Sequence, residues 1–183
     1  DVFAKGTAAL YSKEYFESVK SHLNPGGYFT LYVPLYESDV RTVQGELATF
    51  FSVFPNATVW ANTRDGMGYD MVFMGQADPL KINVDEVQAR LDRDDYGPVR
   101  ESLFEINFPN AAALFKTYTG RKQDLGRWFA DAAVTTDHDL RLMYEAGWGI
   151  NSYLADPIYR EMLQYRQVPR DMFTGNPQVV EDI

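Results

Sequence analysis

The stretch SHLNPGGYFTLYVPLYES, residues 21–38, constrains the fold more than any other part of the chain. Before and into it, Leu10, Tyr11, Tyr15, Val19 and Leu23 recur at helical spacing with polar residues between them, which predicts an amphipathic helix over 7–24. Pro25 cannot continue the helical ladder, and Gly26 and Gly27 accept the positive φ that reverses the chain. The following YFTLYVPL is aromatic and β-branched with hardly any polar alternation, which predicts a strand covered on both faces. Pro34 lacks an N–H and marks the strand's end. Helix, hard stop and buried strand form the junction that doubly wound sheets use repeatedly.

Residues 37–54 place Val40, Val43, Leu47, Phe50, Phe51 and Phe54 on one side, with Ser38 or Asp39 as N-cap, and predict a second helix. ATVWAN (57–62) and YDMVFMGQ (69–76) read as short apolar strands joined through TRDGMG in an antiparallel hairpin. Helices alternating with buried strands predict an α/β fold, a parallel sheet with helices on both faces and an antiparallel strand at one edge. After Gln76 the pattern changes. Short helices are predicted over 84–92, about 98–107 and 110–118, punctuated by Pro79, Pro98 and Pro109. Further helices are predicted over 121–132, 140–154 and 156–168, the last opened by Asp156 and Pro157. The expected organisation is an α/β region over 1–80 and a mostly helical extension over 81–183, with a loose tail from about 174.

A net charge of −9 without clustered Lys or Arg argues against nucleic acid as a partner and favours cationic small molecules such as amines. There are no cysteines, which excludes disulfides, thiolate metal sites and thiol catalysis. The two histidines, His22 and His138, are far apart and neither has a metal-ligand partner at HxH or HxxxH spacing. His22 falls near a predicted helix C-terminus, where an imidazole favours the helix dipole. No run reaches the roughly 18 to 20 apolar residues that span a bilayer. The chain starts with Asp1 rather than Met, which is expected of processing, truncation or a beginning that lies outside this sequence.

Neither GxGxxG nor GxxxxGK[ST] occurs, so no complete cofactor site can be assembled from the predicted strands. The acids of LDRDDYG (91–97) suit surface loops and caps, whereas those of TTDHD (135–139) are equally suited to orienting an amine. Tyr32 and Tyr36 are candidate polar-tipped walls of an apolar pocket at the strand exit.

Taken together, AALYSKEYFESVKSHLNPGGYFTLYVPLYES, GYDMVFMGQ and TTDHDLRLMYEAG resemble the carboxyl-terminal half of spermidine synthase-like proteins, over roughly residues 4–145. The nearest branch is the bacterial one in which this domain is often fused to a membrane transporter-like segment. The resemblance implies the second half of a Rossmann-like S-adenosylmethionine-dependent transferase sheet. It implies aminopropyl transfer from decarboxylated S-adenosylmethionine to a polyamine, in the cytoplasm or at the cytoplasmic face of a membrane, by a homo-oligomer or a subunit of a larger complex. In this family the cofactor turn and the acidic acceptor loop precede the LYS helix, so the catalytic acid is expected at or before Asp1. Asp1, Tyr32, Tyr36 and Asp137 are the implied substrate-binding positions. Two departures stand out: no glutamine occupies Leu31 or Tyr32, and Leu140 and Met143 replace the proline and glutamate of the family's TDDxPxLEY element. The alternative is a non-catalytic relative that serves as an interaction subunit of a larger, possibly membrane-associated assembly.

Overall fold

The structure, a computed structural model, describes residues 6–64, 67–139 and 141–183. After a 3-10 turn at Thr7–Tyr11 come α1 (Lys13–His22), β1 (Tyr28–Pro34), α2 (Val40–Val53), β2 (Thr58–Arg64) and β3 (Met67–Gln76). These are followed by β4 (Ile82–Asn83), α3 (Val84–Leu91), α4 (Gly97–Glu105), α5 (Ala111–Phe115), β5 (Tyr118–Arg121) and α6 (Lys122–Leu125). Last come α7 (Arg141–Gly149), α8 (Ala155–Leu163), β6 (Phe173–Thr174) and α9 (Pro177–Glu181). The chain divides into two compact units, Asp1–Pro79 with Thr119–Gln167, and Leu80–Tyr118 with Val168–Ile183.

In the first unit the fold is mixed α/β, built on a sheet in the order β1-β3-β2-β5. The predicted hairpin is present, with β2 antiparallel to β3 from Thr58↔Met74 onward and a bulge between Asn62 and Thr63. The expected parallel pairing of neighbouring strands is not what forms. Instead, β1 pairs antiparallel with β3, from Tyr28↔Gln76 to Pro34↔Asp70. β1 and β2 therefore run in the same direction but are held apart by β3. Hydrophobic periodicity reports which faces are buried and carries no information on strand order. β3, with Met71 and Phe73 fully buried, is suited to a place flanked on both sides.

Residue alternation decides which face of the sheet is covered. Ser12 caps α1 by accepting from the Tyr15 N–H at 3.2 Å, and Asp39 caps α2 by accepting from the Thr42 N–H at 2.9 Å. The two helices press Phe16, Phe50 and Phe54 onto Phe29 and Phe73 of the inner sheet face, with ring centroids 5.1 Å apart for Phe16–Phe50 and 5.5 Å for Phe50–Phe73. Gly75 makes this approach possible, since a Cβ there would lie 2.8 Å from Phe54 Cγ. Lys20 ties the helices together by donating from Nζ to the Val53 carbonyl at 2.7 Å. Phe51 stacks on Phe129 at 5.5 Å.

The outer face differs from the expectation that β1 is covered on both sides. Tyr28, Thr30 and Tyr32 are exposed, as is Asn62, while Trp60, Val72 and Met74 are half-buried. β1 does alternate, but with tyrosine and threonine in the polar places, so its composition reads as uniformly apolar. As the end strand of the sheet, β1 also keeps one edge unpaired among the described residues.

In the second unit β4 and β6 pair in parallel, and Asn83 caps α3 by accepting from the N–H groups of Asp85 and Glu86. Phe115 and Tyr118 pack on Phe173 at 5.6 and 5.8 Å. The predicted loose tail is ordered here: it contributes Thr174 of β6 and all of α9, and Ile183 is buried. Its short length hides the helical period, while Asn176 supplies a cap by accepting from the Gln178 N–H at 3.0 Å. The helices expected over 110–118 and 121–132 are likewise shortened to α5 and α6, with β5 between them. No helix of the described residues is long and apolar enough to cross a membrane.

Phe50 sits at the centre of the inner-face cluster and is fully buried. Phe50→Ala is expected to lower unfolding stability by about 3–5 kcal/mol in chemical denaturation, because the stacked helices and sheet cannot collapse into the vacated space.

Candidate functional site

The candidate site lies on the open sheet face at the carboxyl-terminal end of β1. Tyr11 steadies the strand there by donating from its hydroxyl to the Tyr32 carbonyl at 2.9 Å. Just beyond, Pro34 ends the strand and the Ser38 hydroxyl donates back to its carbonyl at 2.6 Å, which turns the chain sharply and fixes Tyr36. The Leu35 N–H donates to the Tyr69 carbonyl at 3.1 Å, which binds the turn to the start of β3.

Two of the residues expected from the sequence meet here. The hydroxyl of Tyr32 lies 3.4 Å from that of Tyr36. Tyr36 in turn stacks on Tyr69, with centroids 4.9 Å apart and planes at 20°. Between these rings and Asn62, Asp70 is 5% exposed although its sheet face is open. The registers place Asp70 opposite Pro34 on one side and opposite Asn62 on the other. Burial raises the Asp70 carboxyl above the ordinary aspartate range, and hydrogen bonds with Asn62 and Tyr32 pull it partly back. The Tyr32 hydroxyl is held in its protonated form, chiefly by burial, then by its hydrogen bond with Tyr36 and the nearby Asp70 charge. The result is a recessed acid under a rim of hydroxyls and one amide. Such a set can accept hydrogen bonds from an ammonium while the aromatic faces cover its methylenes.

The other expected positions stand elsewhere. Asp1 lies outside the described residues, as does Leu140. Asp137 is exposed on the segment that meets α1, where its N–H donates to Glu14 at 3.0 Å. The acids of 91–97 are surface groups, with Asp95 paired to Arg93 at 2.8 Å. His22 ends α1 with Nδ1 2.7 Å from the Ser18 carbonyl oxygen. Among the described residues no three His, Asp or Glu side chains gather as metal ligands would.

Asp70, Asn62 and Tyr69 are not singled out by sequence reasoning. The available signal is an acid inside the otherwise apolar YDMVFMGQ. Asn62 and Tyr69 flank the hairpin turn and carry no signal of their own. Glu46 escapes as well, one residue before Leu47 on the apolar side of α2.

Glu46 is 1% exposed, and neither of its carboxyl oxygens has a hydrogen-bond partner among the described residues. Thr42, one turn earlier, also has a buried and unpartnered hydroxyl. Burial, reinforced by the Asp39 charge, pushes the Glu46 carboxyl up to about 8. It bears on Tyr11, whose hydroxyl is raised by burial and, once Glu46 is ionised, by the Glu46 charge.

The chain matches no family model, no curated protein and no solved structure.

Glu46 gives a signed pH dependence. Below the ordinary glutamate value of 4.5 the group is protonated folded and unfolded, and costs nothing. As pH rises from there to about 8 only the unfolded chain ionises, so stability falls by about 1.4 kcal/mol per pH unit across this window. Denaturation of Glu46→Gln at pH 5, 6, 7 and 8 is expected to lack that component. Identical slopes for variant and wild type would show that Glu46 is ionised in the folded protein.

Proposed function

We propose that the first unit is the amine-binding half of a spermidine synthase-like aminopropyltransferase, with Asp70 as the group that holds the amine. The observation that carries this reading is the recessed Asp70 carboxyl, framed by Tyr32, Tyr36, Tyr69 and Asn62 where β1 ends. Ligands of doubly wound sheets bind beyond the carboxyl ends of the strands, and the position of this cluster at the carboxyl end of β1 is consistent with that mode. The same-direction strands β1 and β2, the free edge of β1 and the uncovered outer face suit a sheet that continues past β1.

The reaction implied is the formation of a C–N bond to an amine as the C–S bond of a sulfonium breaks. The described residues do not fit the nucleoside that carries that sulfonium. The connections from strand to helix, Leu35–Asp39 after β1 and the direct joins of β4 to α3 and β5 to α6, contain no glycine-rich loop. What these residues do is limited to the acceptor. Asp70 accepts from an ammonium, Tyr32 and Tyr36 cover its alkyl chain, and the acidic chain as a whole attracts polyamines.

Titration calorimetry with putrescine tests this. Removal of a charge-assisted contact lowers affinity by roughly 10- to 100-fold, so Asp70→Asn is expected to do so, with Tyr32→Phe intermediate. Wild-type binding is expected to strengthen as pH rises through the raised Asp70 range, because the ammonium needs the ionised carboxylate. No heat with millimolar diamine, or equal affinity in Asp70→Asn, would contradict the reading.

The second reading is a non-catalytic interaction subunit that uses the outer sheet face. Exposed Tyr28 and Tyr32 beside the free edge of β1 favour it. It predicts that Tyr28→Arg abolishes association with a partner while leaving diamine binding absent in wild type and variant alike.

A further inference from the structure

α7 has two unlike faces. Leu142, Ala146 and Gly149 are buried toward the body of the first unit. Gly149 is pressed so close to the Ser38 backbone that a Cβ would lie 2.8 Å from it, and the Ser152 hydroxyl donates to the Gly149 carbonyl at 2.6 Å. The helix end is therefore firmly seated. On the opposite face, Tyr144 is 67% exposed and Trp148 is 85% exposed. The loop that follows adds Tyr153 at 79%, beside Ile150 and Leu154.

Two observations show that this display is built into the fold. Asn151 and Tyr153 hold φ of 63° and 55°, the left-handed region that non-glycine residues avoid. In addition, Tyr144–Leu154 contains a single charged side chain, Glu145, in a chain that is 23% charged. Glu145 is paired with Arg141 at 3.8 Å on the same helix.

We propose that this aromatic face, Tyr144, Trp148, Tyr153 and their apolar neighbours, is the contact surface between two copies of this chain. Area and charge both identify a second copy as the occupant. Three aromatic side chains this exposed offer roughly 500 Å². With Ile150, Leu154 and a rim at Arg141 and Glu145, the surface approaches the roughly 800 Å² per partner of a stable interface. Its composition, aromatic in the middle with an arginine at the edge, is that of an interface core and rim. A chain of net charge −9 repels its own copy wherever acids face each other, and this surface avoids that. An anionic bilayer would be repelled by the same net charge, and so is the poorer fit.

The test is the mass of the intact chain in solution, by sedimentation equilibrium from 1 to 100 µM. The wild type is expected to approach twice its 20.9 kDa monomer mass at the upper end. Trp148→Arg and the milder pair Trp148→Ala with Tyr153→Ala are expected to weaken dimerisation by about tenfold or more, as the loss of a central aromatic anchor does. Both are expected to keep the wild-type circular dichroism, because the changed side chains are exposed. Phe104→Ala, at another exposed aromatic, is expected to leave the mass unchanged. A wild type that stays monomeric at 100 µM overturns the proposal, as does a dimer indifferent to all α7 variants. So does a monomer that floats with neutral phosphatidylcholine vesicles in a Trp148-dependent way, which would assign the surface to lipid.

Discussion

The packing of Phe16, Phe50 and Phe54 against Phe29 and Phe73 governs the rest of the first unit. Both α1 and α2 reach the sheet through those rings, and they do so from one side. The consequence is an asymmetry: the inner face is dry and closed, while the outer face keeps tyrosines, a tryptophan edge and Asn62 in contact with solvent. Without that asymmetry Asp70 would lie beneath a helix rather than beneath the tyrosines of the outer face.

The two raised carboxyls illustrate how position separates roles. Glu46 is enclosed on α2 with both oxygens unpartnered among the described residues, and the easiest state for it is protonated. Asp70 is also raised, but it keeps hydrogen bonds with Asn62 and Tyr32 and stands opposite Pro34 at the end of β1. Desolvation of an acid is costly unless a partner compensates for it, and in the proposed reading the ammonium of the substrate is that partner. Tyr11 connects the two places, since its hydroxyl anchors Tyr32 and responds to Glu46.

The local features of residues 21–40 are legible in the sequence: Gly26 has φ 72°, β1 ends at Pro34, and α2 starts behind Asp39. Neighbouring residues decide each of these. Strand order is decided by contacts between distant segments, which is why the insertion of β3 between β1 and β2 is not legible. The exposure of β1 is hidden for a related reason, since tyrosine serves a solvent face and a core face equally well. Tyr32 and Tyr36 are found because a proline marks the strand exit. Asp70 is passed over because one acid in an apolar strand reads as an ordinary surface position until the register places it among three tyrosines. The 174–183 tail looks loose because a five-residue helix is too short to show a period.

In the proposed reading the Asp70 carboxylate is held short of its best partner until an amine arrives. Carbon-13 NMR of the Asp70 carboxyl, titrated with pH in the absence and presence of saturating putrescine, measures that directly. The account predicts a midpoint above the ordinary aspartate range in the free protein, and a fall in that midpoint when the diamine is bound, because a neighbouring ammonium favours the ionised form. An ordinary midpoint in the free protein, or one that the diamine does not move, would contradict it.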